Sequence, residues 1–280
     1  MSRVPHPIPY QGSKRRLAPR ILEIVRGRTF LRLYEPFAGS AAITLYAARE
    51  RLATSYILSD SFAPLVALWS EILSNPERLS DAYEQVWLAQ ENDERHYDRM
   101  REEFNATPEP AKLLYLLVRC VKNAPRFNRD GAFNQSADNR RRGMNPTKMR
   151  REIMGASSIL YRRADAFAGD FETALESASA ADLVYMDPPY EGVSQTRACY
   201  HQGLRRERLI GVLADLKKRG IPVLLSYDGR TGEKAYGDPL PDSLGLVRID
   251  LAAGRSSQAT LHGRTEETVE SLYVSCSRAN

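Results

Sequence analysis

Residues 31–60 read "LRLYEPFAGSAAITLYAARERLATSYILSD", and the order of their patterns decides the fold. An apolar run over 31–37 ends at Pro36, the stretch 40–50 has helical apolar spacing, and 55–60 is a second apolar run that ends on an acid. A strand, a small glycine-containing turn, a helix and a second strand make up the first unit of a parallel sheet wound with helices. The turn brings Gly39 between the small residues Ala38, Ser40 and Ala41, so a ligand can approach the backbone there. It has no G-x-G-x-x-G and no Walker lysine, which argues against a plain dinucleotide site or an ATP phosphate loop. A tight strand-to-helix turn with no ligand is the alternative reading. Asp60 follows the turn by about 20 residues, where a doubly wound fold places the acid that accepts ribose hydroxyls. Asp60 also suits a helix cap, as does Ser61. Turn and acid together suggest a cofactor that carries adenosine without phosphates.

The rhythm continues on either side. Residues 63–73 read as an amphipathic helix, 181–189 as a strand running into prolines, and 206–220 as a helix closed by Gly220. Residues 221–229 and 270–276 read as further strands. The fold class is therefore α/β, a doubly wound sheet. The stretch 74–155 interrupts it with helical patterns, over 80–104 mostly polar and over 109–121 more apolar, followed by a basic, Asn-rich loop. We read 1–73 and 156–280 as one cofactor-binding catalytic domain, and 74–155 as a mainly helical insertion.

Composition is that of a globular protein, with 42% hydrophobic and 27% charged residues among 280. No apolar run is long enough to span a bilayer, and "MSRVPHPIPY" has no signal-peptide core. Cys120, Cys199 and Cys276 are odd in number and scattered, and neither they nor His6, His96, His201 and His262 have metal-ligand spacing. A reducing cytoplasm and a metal-free protein are the expectations. The net charge of +5 is unevenly distributed: residues 119–151 hold ten Lys/Arg against Asp130 and Asp138, a local +8. A solvated loop would explain a bare charge run. Here arginines alternate with Asn and Gln, the residue types that meet phosphates and base edges respectively.

The most specific chemistry lies at "DLVYMDPPYEGV", 182–193. Prolines end the strand ladder, leaving Asp187, Pro188, Pro189 and Tyr190 as a corner rich in acceptors. An aromatic primary amine needs two acceptors. The Asp187 carboxylate and the Pro188 carbonyl supply them, and Tyr190 offers a face for a base to stack on. Accepting both hydrogens turns the nitrogen lone pair out of the base plane and makes the amine a nucleophile. A proline turn without function would need neither the acid nor the aromatic.

"DPPY" (187–190), "EPFAGSAA" (35–42), Asp60 and "PYQGSKRRLAP" (9–19) together resemble the amino-group DNA methyltransferases, in the order found in Dam-type adenine methylases. "RFNRDGAFN" (126–134) resembles a segment of the family's target-recognition region, and "AGDF" (168–171) its acid–aromatic pair. The resemblance implies a Rossmann-like methyltransferase sheet with an inserted target-recognition domain, and S-adenosyl-L-methionine as cofactor. It places Tyr10 and Lys14 beside the cofactor, Phe37, Ala38, Gly39 and Ser40 along its methionine and ribose end, Asp60 at the ribose, and Asp170 and Phe171 at the adenine. Asp187 to Tyr190 would hold a flipped target adenine, with Asp187 also bordering the cofactor, and the methyl would pass directly to N6. Double-stranded DNA is the implied partner, with a cognate restriction endonuclease where such an enzyme belongs to a restriction-modification system. Asn123, Arg126, Phe127, Asn128, Asn134, Arg140, Arg141, Arg142 and Lys148 are the expected DNA-contacting residues. Gln11 departs from the family's usual opening and leaves the subgroup open. N4-cytosine or RNA-base methylation, or DNA binding without catalysis, are the competing readings. Asp187 in place of Ser favours adenine. "SYDG" (226–229) is a further candidate near the target base, and the segment around 262–275 a hairpin near DNA.

Overall fold

The computed structural model describes residues 3–128, 130–189, 204–231, 234–236, 238–255 and 267–275. The chain opens with a short helix α1 (Ala18–Glu23) and continues β1 (Phe30–Glu35), α2 (Ala42–Arg49), β2 (Ala53–Asp60) and α3 (Ala63–Ser74). Helices α4 (Pro76–Leu88), α5 (His96–Ala106), α6 (Pro110–Arg119) and α7 (Pro146–Leu160) follow without an intervening strand. The sheet resumes with β3 (Ala164–Ala168), α8 (Phe171–Leu175), β4 (Leu183–Met186), α9 (Arg206–Lys218), β5 (Val223–Thr231), β6 (Lys234–Tyr236), β7 (Val247–Arg255) and β8 (Glu267–Val274). Helices α3, α4, α6 and α7 each carry proline in the first turn, where its missing N–H breaks no helical bond.

The strand order is β3-β2-β1-β4-β5-β8-β7, with β6 paired to β5. Strands β1 to β5 run parallel, while β8 is antiparallel to both β5 and β7. The chain first winds outward from β1 through β2 to β3. It then returns to lay β4 on the other side of β1. The carboxyl ends of β1 and β4 therefore flank a topological switch point, where open α/β sheets bind ligands.

Alternation along the central strands feeds two cores. Leu33, Leu183 and Tyr185 enter the core shared with α1 to α7, and Tyr34, Val184 and Met186 the core beneath α9. With both faces covered, β4 is apolar and buried throughout, as the centre of a parallel sheet requires.

The insertion shares the first of these cores. Leu113, Leu114, Tyr115, Leu116 and Leu117 of α6 lie in one cluster with Leu33 and Leu58. Helix α7 packs on α2, α3 and α4, and it runs across residue 155. The polar-looking 80–104 stretch is two helices that bury Tyr83, His96, Tyr97, Met100 and Phe104. Strands β3 and β7, which have no counterpart in the sequence reading, are the two outermost strands in the order.

Candidate active site

Three segments meet at the switch point. Beyond β1 the chain turns through Ala38, Gly39 and Ala41, with φ of 46° at Gly39 and 47° at Ala41. The left-handed conformation is natural for glycine and uncommon for alanine. Bonds from every side hold the turn. Ala38 N–H donates to the Ser59 carbonyl (2.9 Å), and the Trp69 indole N–H of α3 donates to the Gly39 carbonyl (3.0 Å). Asp60, at the tip of β2, accepts from Gly39 N–H through Oδ2 (3.1 Å) and from Phe62 N–H through Oδ1 (3.0 Å). Asp60 thus ties the glycine turn to the loop that enters α3, although the N-cap position of that helix is Phe62. Burial raises its pKa, against the opposing N–H groups of Phe62, Gly39 and Ser61.

The N-terminal segment lies over this turn. A Cβ on Gly39 would lie 3.9 Å from the Tyr10 ring, and Ser13 Oγ and the buried Ser40 Oγ are 2.7 Å apart. The next residue, Lys14, is buried with its Nζ 2.8 Å from Asp187 Oδ1. Tyr10, Lys14, Gly39, Ser40, Asp60 and Asp187 therefore form one cleft. Pro188 is buried and Pro189 exposed, and Tyr190 lies outside the described residues.

Charge in the cleft is mostly negative. Burial pushes Asp187 up to about 6. Lys14 opposes this and Glu270 adds to it. Burial alone would lower Lys14, yet the carboxylates of Asp187 and Glu270 outweigh it and raise the ammonium well above its ordinary range. Glu35, buried at the end of β1, accepts from Thr44 N–H at the start of α2 (2.9 Å). Burial pushes it up to about 8, against those hydrogen bonds and with a further push from the charge of Asp187. At neutral pH Glu35 is therefore mostly protonated, while Asp187, beside Lys14, is mostly ionised and able to accept hydrogen bonds.

At the outer end of the cleft, Phe37 and Phe171 have ring centroids 5.2 Å apart. Asp170 caps α8 by accepting from Glu172 N–H and also receives a hydrogen bond from Arg208, whose guanidinium lies over Phe171. The sequence reading missed Glu35, Trp69, Glu270 and Arg208. Of these only Glu35 had a signal, a charged residue closing an apolar strand.

The basic loop is partly self-paired. Arg140 makes a bidentate contact to Asp138 (2.9 and 3.1 Å), while Arg141 pairs with Asp138 and donates to the Cys120 carbonyl. Arg126, Arg142, Lys148 and Asn134 are exposed. A short hairpin pairs Phe127 with Phe133 and sets Arg126 opposite Asn134, whose N–H donates to the Arg126 carbonyl (2.9 Å). Phe127, expected at DNA, is instead buried, with its ring centroid 4.7 Å from Phe62 and 5.6 Å from Phe133. Alternation in the hairpin turns it inward. The Asn128 side-chain oxygen Oδ1 accepts from Asp130 and Ala132 N–H, and the Asn123 side-chain amide donates to the Leu117 carbonyl. Both side chains shape the loop. In "SYDG", Asp228 is buried, accepts from the Tyr273 hydroxyl (2.6 Å) and faces Arg248 at 3.7 Å, a structural corner at a β-bulge.

Among the described residues, no cluster of three or more His, Cys, Asp or Glu groups could hold a metal ion, and no helix is long and apolar enough to cross a membrane. The chain is 24% identical over 281 residues to the type II methyltransferase M1.LlaDCHI of Lactococcus lactis subsp. cremoris, covering 94% of each chain. It is 29% identical to the retron Ec67 DNA adenine methylase of Escherichia coli, over 82% of this chain and 80% of that one. It is 26% identical to the DNA adenine methylase of Escherichia coli K12, over 69% and 70% respectively. The model of the D12 class N6 adenine-specific DNA methyltransferases matches residues 10–251. That match begins at the Tyr10 segment and takes in the glycine turn, Asp60 and the Asp187 corner, so the acidic cleft is the centre of a chain that belongs to the D12 class of N6 adenine-specific DNA methyltransferases.

Proposed function

We propose that this methyltransferase binds S-adenosylmethionine across the switch-point cleft and presents a flipped adenine to the Asp187 corner. The observation behind this reading is the convergence of Lys14, Gly39, Asp60 and Asp187 at the ends of three parallel strands. The cleft fits the cofactor's chemistry, because it sets a glycine turn, with no neighbour closer than 3.9 Å to a Cβ placed on Gly39, beside the carboxylates of Asp60 and Asp187, which can accept from hydroxyl donors. The bound cofactor supplies an electrophilic methyl group.

The protein's own residues do the remaining work. Asp60 accepts the ribose hydroxyls, and Tyr10, Phe37, Ala38, Gly39 and Ser40 line the turn. Phe171 with Asp170 closes the adenine end of the cofactor. Asp187 and the Pro188 carbonyl accept the two hydrogens of the target amine, with Tyr190 under the base. Flipping that base costs a few kcal/mol, which contacts to the rest of the duplex must offset.

The Asp60 role is checked by calorimetry. Asp60→Asn should weaken S-adenosylmethionine binding by about 1.5–3 kcal/mol, the range for a charge-assisted hydrogen bond. An unchanged affinity would leave Asp60 as a fastening for the turn alone.

We assign target recognition to residues 74–155. The self-pairing of Arg140 and Arg141 with Asp138 shifts the phosphate contacts towards Arg142 and Lys148, and the loop-shaping roles of Asn123 and Asn128 leave Arg126 and Asn134 as the base-reading pair. Arg142→Ala with Lys148→Ala should weaken binding to every sequence and flatten the salt dependence by up to about 0.9 in log–log slope per lost contact. Arg126→Ala should instead relax discrimination at one base pair by about 1–3 kcal/mol. A binding series over salt, on the cognate site and on single-base variants, separates the two. A double variant that loses specificity at an unchanged slope would reverse the assignment.

A further inference from the structure

The corner's cation has a second partner that belongs to none of the motifs. Lys14 Nζ lies 2.8 Å from Asp187 Oδ1, 3.2 Å from Glu270 Oε2 and 3.3 Å from the Gly12 carbonyl. An ammonium has three donors, and each here has an acceptor. Lys14 is 6% exposed, against about a fifth for each carboxylate, so one buried cation is shared by two half-buried acids.

Had Lys14 paired with Asp187 alone, the pair would be neutral and the carboxylate a weakened acceptor. With Glu270 the cluster carries a net negative charge. We propose that Glu270 is a positioning residue which fixes the Lys14 ammonium and draws part of its charge away, leaving Asp187 a strong acceptor for the target amine; this rests on the reading of Asp187 given above.

The backbone around Glu270 is built for close approach. The β5–β8 register shifts between Ser226 and Gly229, and Gly229 pairs with Glu270. A Cβ on Gly229 would meet the Val269 carbonyl oxygen at 2.8 Å, a contact real side chains do not make. Bulges of this kind bend a strand and re-aim a side chain beside an active site. Among the described residues, the other ionisable groups facing Asp187 are Tyr185 on its own strand, whose hydroxyl is 2.9 Å from Ser226 Oγ, and Glu35 at the end of β1. Both are buried, with Tyr185 bonded to Ser226 and Glu35 accepting from Thr44 N–H. Among the described residues, Glu270 is ion-paired to the same ammonium as Asp187.

The test follows the carboxyl carbon of Asp187 by NMR in ¹³C-aspartate-labelled protein without cofactor or DNA, the resonance being identified by its loss in Asp187→Asn. The wild-type midpoint is expected near about 6. Glu270→Gln should move it down by about one pH unit, the effect of deleting a nearby like charge, and Glu270→Asp should move it less. In the methylation assay the acid limb of kcat should move down in parallel. The plateau should fall about tenfold with KM for the cofactor unchanged, as expected when an electrostatic contribution to the reacting centre is lost. A midpoint that stays put or rises in Glu270→Gln overturns the proposal. If Asp187→Asn retains full activity, the reading of Asp187 fails by itself, and the NMR titration still decides whether Glu270 governs that carboxylate.

Discussion

Asp187→Ala is expected to lower methyl transfer by about 10³-fold, in line with removing a preorganised polar group from a reacting centre. Cofactor affinity should change little, because the lost acceptor faces the target amine. The isosteric Asp187→Asn should lose nearly as much, since an amide oxygen is a weaker acceptor than a carboxylate and carries no charge. Initial rates with labelled cofactor, beside cofactor titration, measure both quantities. Near-normal turnover in either variant would remove Asp187 from the mechanism.

Lys14→Met is the second large effect, and its signature is a pH dependence. In the wild type, burial pushes Asp187 up to about 6 and Lys14 holds it down against that push. Activity that needs the ionised carboxylate should therefore be full above this pH and fall as the pH drops through it. Without the ammonium, burial and Glu270 act unopposed. The Asp187 pKa should rise by about one to three pH units, the reach of a close opposite charge. At pH 7 half or more of the carboxyl is then protonated, so the rate should fall by about twofold to a hundredfold and recover towards alkaline pH. An acid limb that does not move in Lys14→Met would show that the pair at 2.8 Å does not set the acceptor's charge.

The central strands were legible because local and global signals agree. Residues 31–60 alternate apolar and polar at the periods of strand, helix and strand, and Pro36, Gly39 and Asp60 mark the joints. The edge strands gave no such signal. In β3, "ADAFA" is mostly exposed and gives the core only the small Ala164 and Ala166, and β7 opens on Val247, which is 63% exposed. These strands form by pairing with neighbours, a tertiary cause that a local pattern does not record.

The same division runs through the site. Gly39, Asp60 and Asp187 sit at strand ends, so their order along the chain already brings them together. Glu270 meets Lys14 only through the shifted register of β8, and Trp69 meets Gly39 only through the packing of α3. The basic loop was misread at Phe127 for a related reason. An aromatic between arginines resembles a stacking platform, but one hairpin bridge turns it against Phe62. Asp138, one of the two acids in the positive run, holds both Arg140 and Arg141, a pairing that the charge count does not record.

The most direct test of the account is the chemical identity of the product. Unmodified duplex DNA would be incubated with the protein and S-adenosylmethionine labelled in the methyl group, digested to nucleosides, and separated by chromatography. The acceptor corner at Asp187 predicts all of the label in N6-methyldeoxyadenosine, with none for Asp187→Ala. Label in N4-methyldeoxycytidine, or equal labelling by the Asp187→Ala protein, would contradict it.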